Sequence, residues 1–155
     1  MPKKQSASRW LSGLLAAILL IPAVLSFAGV ITMRVVLTDS MEPRIYPGDL
    51  VVSANWVKPG LGDTAIYHQK DITGTFRQDV VHRVITMNEQ GEYQFKGDNN
   101  KSMDALSVPK NDVVGTVFMK VPGVGNLLTA TGLLFLALII GGLVAVYYGI
   151  KLLRK

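Results

Sequence analysis

The sequence predicts a small, mainly β domain flanked by two membrane-spanning helices. Three observations predict it. First, residues 11–31 and 124–150 form two charge-free apolar runs of 21 and 27 residues in a chain of 155. A helix rises about 1.5 Å per residue, so about 20 apolar residues cross a hydrocarbon core. Second, the stretch between them carries short β-branched runs separated by Gly, Pro, Asn and Asp, with no sustained helical period. Third, the charge is unevenly spread. Lys3, Lys4, Arg9, Lys151, Arg154 and Lys155 lie outside residues 32–123, whereas that middle holds every acid and sums to −1. Cations beside apolar runs mark cytoplasmic flanks. The expected organisation is a basic cytoplasmic N-terminus (1–10), a span (11–31), an extracytoplasmic β domain (32–123), a second span (124–150) and a basic cytoplasmic tail (151–155).

The elements follow in order. Residues 11–31 read as a retained anchor, with Pro22 expected to bend the helix. The competing reading is a cleavable leader, from the basic start and Ser26-Phe27-Ala28, but the apolar run exceeds the 7–15 residues usual there. Val35-Val36-Leu37 is β-prone. Tyr46-Pro47-Gly48-Asp49 reads as a turn before a buried strand at Leu50-Val51-Val52. Pro59-Gly60 and Gly62-Asp63 punctuate the chain before a strand at residues 64–67. Residues 80–87 (VVHRVITM) and 93–96, joined by the polar turn 88–91, predict a hairpin. Residues 97–104 (GDNNKSMD) form a polar loop, and residues 112–120 close with a strand.

Composition excludes some functions. A nucleic-acid partner needs a basic patch, and the middle segment is not basic despite the net charge of +5. The chain has no cysteine, which excludes thiolate catalysis, cysteine metal sites and disulfides.

The residues by themselves allow nucleophilic chemistry without fixing it. A serine hydroxyl needs a base, and histidine serves near neutral pH. The candidate serines are Ser40, Ser53, Ser102 and Ser107; the histidines are His68 and His82. Ser40 stands in an irregular stretch, since Pro43 biases Glu42 towards extended backbone. A plain turn serine would look the same. His82 sits in a hydrophobic strand, where histidines are often structural. His68, beside Gln69 and Lys70, reads as a solvated loop residue.

A family resemblance narrows these choices. Ser40-Met41-Glu42-Pro43 with Tyr46-Pro47-Gly48-Asp49 resembles the S-M-x-P…G-D motif of type I signal peptidases. Val80-Val81-His82-Arg83-Val84-Ile85 resembles the V-x-H-R-V/I box of the ER-type branch of that family. Lys96-Gly97-Asp98-Asn99-Asn100 matches its K-G-D-N-N box, and Asp104 follows at the position of that branch's third essential residue. Gly62-Asp63 resembles the family's turn ahead of a strand. These boxes occupy residues 40–104 in the family's order.

The resemblance implies a membrane-bound serine endopeptidase removing signal peptides from exported preproteins. Ser40 would be the nucleophile and His82 the general base, where the common bacterial branch has a lysine. Asp104 would orient the imidazole, with Asp98 as supporting or alternative acid. Ser40 and Thr38 would serve the oxyanion hole. No metal or organic cofactor is implied. The partners implied are preprotein signal peptides with small residues before the cut, and the lipid bilayer. Residues 35–37 and 80–84 are expected to wall the substrate pocket. Some members of this branch act within multisubunit complexes, so accessory membrane subunits stay open. Size and the lack of an ER retrieval signal favour a multi-pass protein of a prokaryotic plasma membrane. Two alternatives share the boxes: a peptidase dedicated to a few pilin- or matrix-like surface proteins, and a catalytically inactive surface binding module.

Overall fold

A computed structural model describes residues 3–127, 133–134, 137–142 and 151. The expected mainly β architecture is present as one antiparallel sheet. The helix α1 (Lys3–Phe27) leads into strands β1 (Ile31–Val35), β2 (Leu50–Ala54), β3 (Thr64–Lys70), β4 (Phe76–Met87) and β5 (Tyr93–Lys96). A single 3₁₀ turn (Lys110–Asp112), β6 (Val113–Val121) and the short helix α2 (Val124–Leu127) follow. The strand order is β1-β2-β6-β3-β4-β5, so β6 returns to the middle of the sheet.

β3 shows why the sheet has a core on each side. Successive side chains of a strand point to opposite faces. Ile66 packs with Val36, Met41, Ile45 and Val51 on one side. Its neighbours Ala65 and Tyr67 pack with Val84, Tyr93, Phe95, Val108 and Val113 on the other. A strand buried on both faces reads as a continuous apolar run, as Thr64-Ala65-Ile66-Tyr67 does.

Three boundaries differ from expectation. The first strand lies at Ile31–Val35, paired with β2, not at residues 35–37. Its residues continue the preceding apolar run, which hides the start of the strand. Val36 bonds instead to the turn, through Val36 N to Asp49 O (2.9 Å) and Gly48 N to Val36 O (2.8 Å). Leu37 is 83% exposed. β3 and β4 are longer than expected and meet at a turn over residues 71–75. There the Asp71 carboxylate accepts from the backbone N–H groups of Thr73 and Thr75. His68 therefore lies in β3 and not in a loop.

Among the described residues, no helix is long and apolar enough to cross a membrane. α1 has 25 residues and runs on through Pro22. The side chains of residues 3–9, Leu11, Ser12, Leu15 and Leu19 lie outside the description, as do residues 128–132, 135–136 and 143–150 of the second apolar run.

Candidate active site

The segment carrying Ser40 is a tight series of turns between β1 and β2. Ile45 N donates to Met41 O (3.0 Å), and Met41 is fully buried, so the segment is pinned to the core immediately after Ser40. Asp49 clamps its far end. The Asp49 carboxylate accepts from the N–H of Tyr46 (3.0 Å) and from that of Gly123 (3.0 Å). Burial would raise the Asp49 pKa, but these bonds and Lys120 hold it below the ordinary value. Gly48 has φ +88°, a conformation that suits glycine. The P-G-D box is thus a brace for the serine segment.

The K-G-D-N-N box braces it from the other side. Asn99 N donates to Ser40 O (2.8 Å). A Cβ on Gly97 would stand 2.6 Å from that same carbonyl oxygen, so only glycine permits the approach.

On these supports four side chains meet in series. Ser40 Oγ is 3.1 Å from His82 Nε2. His82 Nδ1 is 2.7 Å from Asp104 Oδ2. Thr38 Oγ1 is 3.2 Å from Ser40 Oγ. A further group, which the sequence reading did not single out, joins them: the Tyr67 hydroxyl donates to Asp104 Oδ2 at 2.7 Å. The signal for it was present, because a tyrosine in a buried strand needs a partner for its hydroxyl. Burial first, and then the Asp104 carboxylate, push the Tyr67 hydroxyl pKa well above its ordinary value.

Asp98 stands apart from the imidazole. Its two oxygens accept from Arg83 Nε (2.7 Å) and Nη2 (2.6 Å), a bidentate pair. Arg83 also donates to Gly62 O (2.6 Å). The Arg83 guanidinium holds the Asp98 carboxyl below the usual range, against a smaller raising effect of burial, and Asp98 raises Arg83 in turn. Lys70 pairs with Asp112. His68 Nδ1 is 2.6 Å from Asp79 Oδ1, and Arg34 Nε lies 2.7 Å from the other oxygen of that carboxylate. Burial would raise Asp79, but Arg34 and His68 bring it below its ordinary value.

A cleft of about 540 Å³ leads to Ser40. Its walls are Val35, Val36 and Leu37 on one side and Val80 and Val81 on the other. Val84, expected in this wall, is instead in the core. Val84 lies where β5 already covers the edge of β4, opposite Phe95. Among the described residues β1 pairs only with β2, and β4 from Phe76 to His82 pairs only with β3. Two open strand edges thus border one cleft.

A hydroxyl, an imidazole and a carboxylate in hydrogen-bonded series form the arrangement by which serine hydrolases activate a nucleophile. No family model matches the chain. Individual proteins do. The catalytic subunit sec11 of the signal peptidase complex of Neurospora crassa is 33% identical over 106 residues, covering 59% of this chain and 58% of that protein. Signal peptidase I W of Bacillus subtilis is 33% identical over 99 residues, 59% of this chain and 47% of that protein. SEC11 of Lodderomyces elongisporus is 36% identical over 104 residues, 59% of this chain and 60% of that protein. The matches span about half to three fifths of the length of these curated relatives. The chain is thus similar to the catalytic subunits of fungal signal peptidase complexes and to a bacterial signal peptidase I.

Proposed function

We propose that this chain is a serine endopeptidase that removes signal peptides from exported preproteins. The observation that carries the reading is the series Ser40 Oγ–His82 Nε2–Asp104 at 3.1 and 2.7 Å. Ser40 attacks the scissile carbonyl carbon, and its proton passes to His82 Nε2. Asp104 holds the Nδ1–H tautomer and stabilises the imidazolium. The tetrahedral oxyanion is met by the Ser40 backbone N–H and the Thr38 hydroxyl. One such donor is worth roughly 3–4 kcal/mol of barrier. Collapse breaks the peptide bond, and His82 returns the proton to the leaving amine. Water, deprotonated by the same imidazole, then hydrolyses the acyl-enzyme.

The cleft supports a substrate bound as an extended strand. A peptide laid between the open edges of β1 and β4 would take main-chain hydrogen bonds from either side. Walls of valine and leucine accept small apolar side chains and repel large ones by overlap. The two apolar runs support a membrane arrangement with anchors in 11–31 and 124–150, the first ending before β1 starts at Ile31, both termini cytoplasmic and the β domain outside. Ser40 lies thirteen residues beyond Phe27, the end of α1, a link of at most about 45 Å, which limits how far the hydroxyl stands from the bilayer.

The test is cleavage of a preprotein by the full chain in detergent or vesicles, with product termini mapped. Ser40→Ala abolishes cleavage, and Ser102→Ala, at an exposed loop position, leaves it intact. Cleavage declines in acid, where protonation of the imidazole removes the general base. An intact preprotein after incubation with a folded wild-type chain, at every pH and lipid composition tried, refutes the reading. A panel of clients separates a general peptidase from a dedicated one.

A further inference from the structure

We propose that Tyr67 is a positioning residue for the Ser40–His82–Asp104 series, fixing the rotation of the Asp104 carboxylate. The kinetic consequence rests on the peptidase reading above; the geometry does not.

His82 Nδ1 and the Tyr67 hydroxyl both lie 2.7 Å from the same oxygen, Asp104 Oδ2. The main chain at Asp104 is held independently. Asp104 N donates to Phe95 O (2.9 Å), and Gln94 Nε2 donates to Asp104 O. Those bonds leave the carboxylate free to rotate, so its two side-chain donors set its plane.

Tyr67 suits that task because it cannot move. It is 2% exposed, and its ring stacks on Phe95 with centroids 4.4 Å apart at 21°. In the pairing of β3 with β4, Tyr67 lies opposite Val80 while His82 lies opposite Ala65, so Tyr67 and His82 are diagonal neighbours on one face. Their ring centroids are 6.4 Å apart. A phenylalanine would fill the same core volume. A buried hydroxyl costs stability unless bonded, and here its bond goes to Asp104.

The carboxylate also needs restraint. Asp104 borders a second cavity of about 490 Å³ on the side away from Ser40, together with Tyr67, Ile72, Leu106 and Pro109. Without the hydroxyl, the carboxylate keeps His82 as its one side-chain donor, and its plane is free to rock on the cavity side. The raised pKa of Tyr67 keeps it a donor through the working range.

The cavity beside the pair also carries His68, Lys70, Asp71, Glu92 and Asp112, of which His68 is held by Asp79, Lys70 by Asp112 and Asp71 by Arg77. Tyr67 comes from β3, and Asp104 from its loop. Asp98 acts on His82 at longer range while held by Arg83, with Arg44 beyond it. β5 contributes the neutral Gln94 and Phe95, and its Lys96 stands opposite Arg83 in the strand register.

In Tyr67→Phe, kcat falls about tenfold and KM stays within about twofold, the pattern of an interaction acting at the transition state. The acid limb of kcat/KM moves to higher pH, because a carboxylate with one donor fewer binds the imidazolium more strongly. The His82 imidazole titration, followed by nitrogen NMR on the full chain, moves the same way. That readout needs no substrate, so it stands or falls separately from the peptidase reading. Tyr93→Phe, in the same core cluster, leaves rate and titration at wild-type values. Should Tyr67→Phe fail to fold, a fluorotyrosine at position 67 keeps the shape, strengthens the donor and moves the titration to lower pH. An unaltered His82 titration in these variants, or an equal shift in Tyr93→Phe, makes Tyr67 a packing residue and overturns the proposal.

Discussion

Asp98 and Asp104 stand six residues apart in one polar loop, and they do opposite things. Asp98 grips Arg83 with both oxygens, and Asp104 meets His82 with one. Their targets are consecutive residues of β4. Neighbouring side chains of a strand point to opposite faces, so two adjacent residues cannot share one acid. Arg83 emerges beside Gly62, where its guanidinium ties the loop to the turn before β3. His82 emerges beside Tyr67 and Ser40. The division of labour between two identical side chains is set by the pleat of the strand they address.

The sharpest way to break this comparison is to neutralise each acid in turn. Asp104→Asn should lower kcat/KM about 10³–10⁴-fold, because an amide no longer selects the tautomer that leaves Nε2 free to accept. Urea unfolding should change little by comparison. Asp98→Asn should do the reverse. Its carboxyl and Arg83 are only 16% and 18% exposed, and an unpaired, largely buried guanidinium costs about 2–4 kcal/mol. Turnover at a temperature where the variant is folded should stay within a few-fold of wild type. If Asp98→Asn lost turnover as completely as Asp104→Asn while remaining folded, the assignment of roles would be wrong.

pH sharpens the same contrast. The Asp98 carboxyl is held below its ordinary value, so in acid the folded chain binds fewer protons than the unfolded one. The stability contributed is therefore full above the ordinary aspartate range, about 3.9, and is lost as pH falls through the lowered folded value. Wild type and Asp98→Asn should differ most in unfolding free energy near neutrality and converge in acid. A constant gap down to the acid limit would mean that the asparagine acts through packing.

Gly97 tests the support shared by both acids. A Cβ there meets the Ser40 carbonyl oxygen at 2.6 Å, which a backbone atom cannot relieve without shifting Ser40. Gly97→Ala should cost roughly 1–3 kcal/mol of stability and depress turnover more than tenfold in the folded fraction. A crystal structure of that variant with Ser40 unmoved would remove the explanation.

Much of this was legible in the sequence, and the reasons are physical. The segments at Leu50-Val51-Val52 and residues 93–96 were legible because Gly or polar turns bound short apolar runs. The start of β1 was not, since Ile31 extends an apolar run and nothing local marks the change from helix to strand. His68 was misplaced because polar Gln69 and Lys70 look like loop, although a half-exposed strand carries such residues readily. Proximity of Ser40, His82 and Asp104 came from ordered boxes and not from local pattern, since Ser40 and His82 are 42 positions apart. Tyr67 was passed over because an aromatic residue in an apolar run reads first as core. Asp98 and Asp104 could not be told apart until the strand's facing was known.

The smallest effect lies at the far end of the cleft. Arg34 on β1 reaches across to Asp79 on β4, and His68 holds the other carboxylate oxygen. These strands are separated by three others in the sheet order, so the pair closes a gap that hydrogen bonds between strands do not. Arg34 is nearly half exposed, so solvent screens the bond and its worth is about 1 kcal/mol or less. Asp79→Asn should therefore unfold at nearly the wild-type urea concentration. Yet Arg34 and Asp79 both line the cleft whose other end is Ser40 and His82. If an extended peptide occupies that cleft, loosening its end should raise KM about two- to fivefold and leave kcat alone, because the reacting groups are untouched. A kcat change with KM fixed would place the peptide elsewhere, and the open edges of β1 and β4 would then need another occupant.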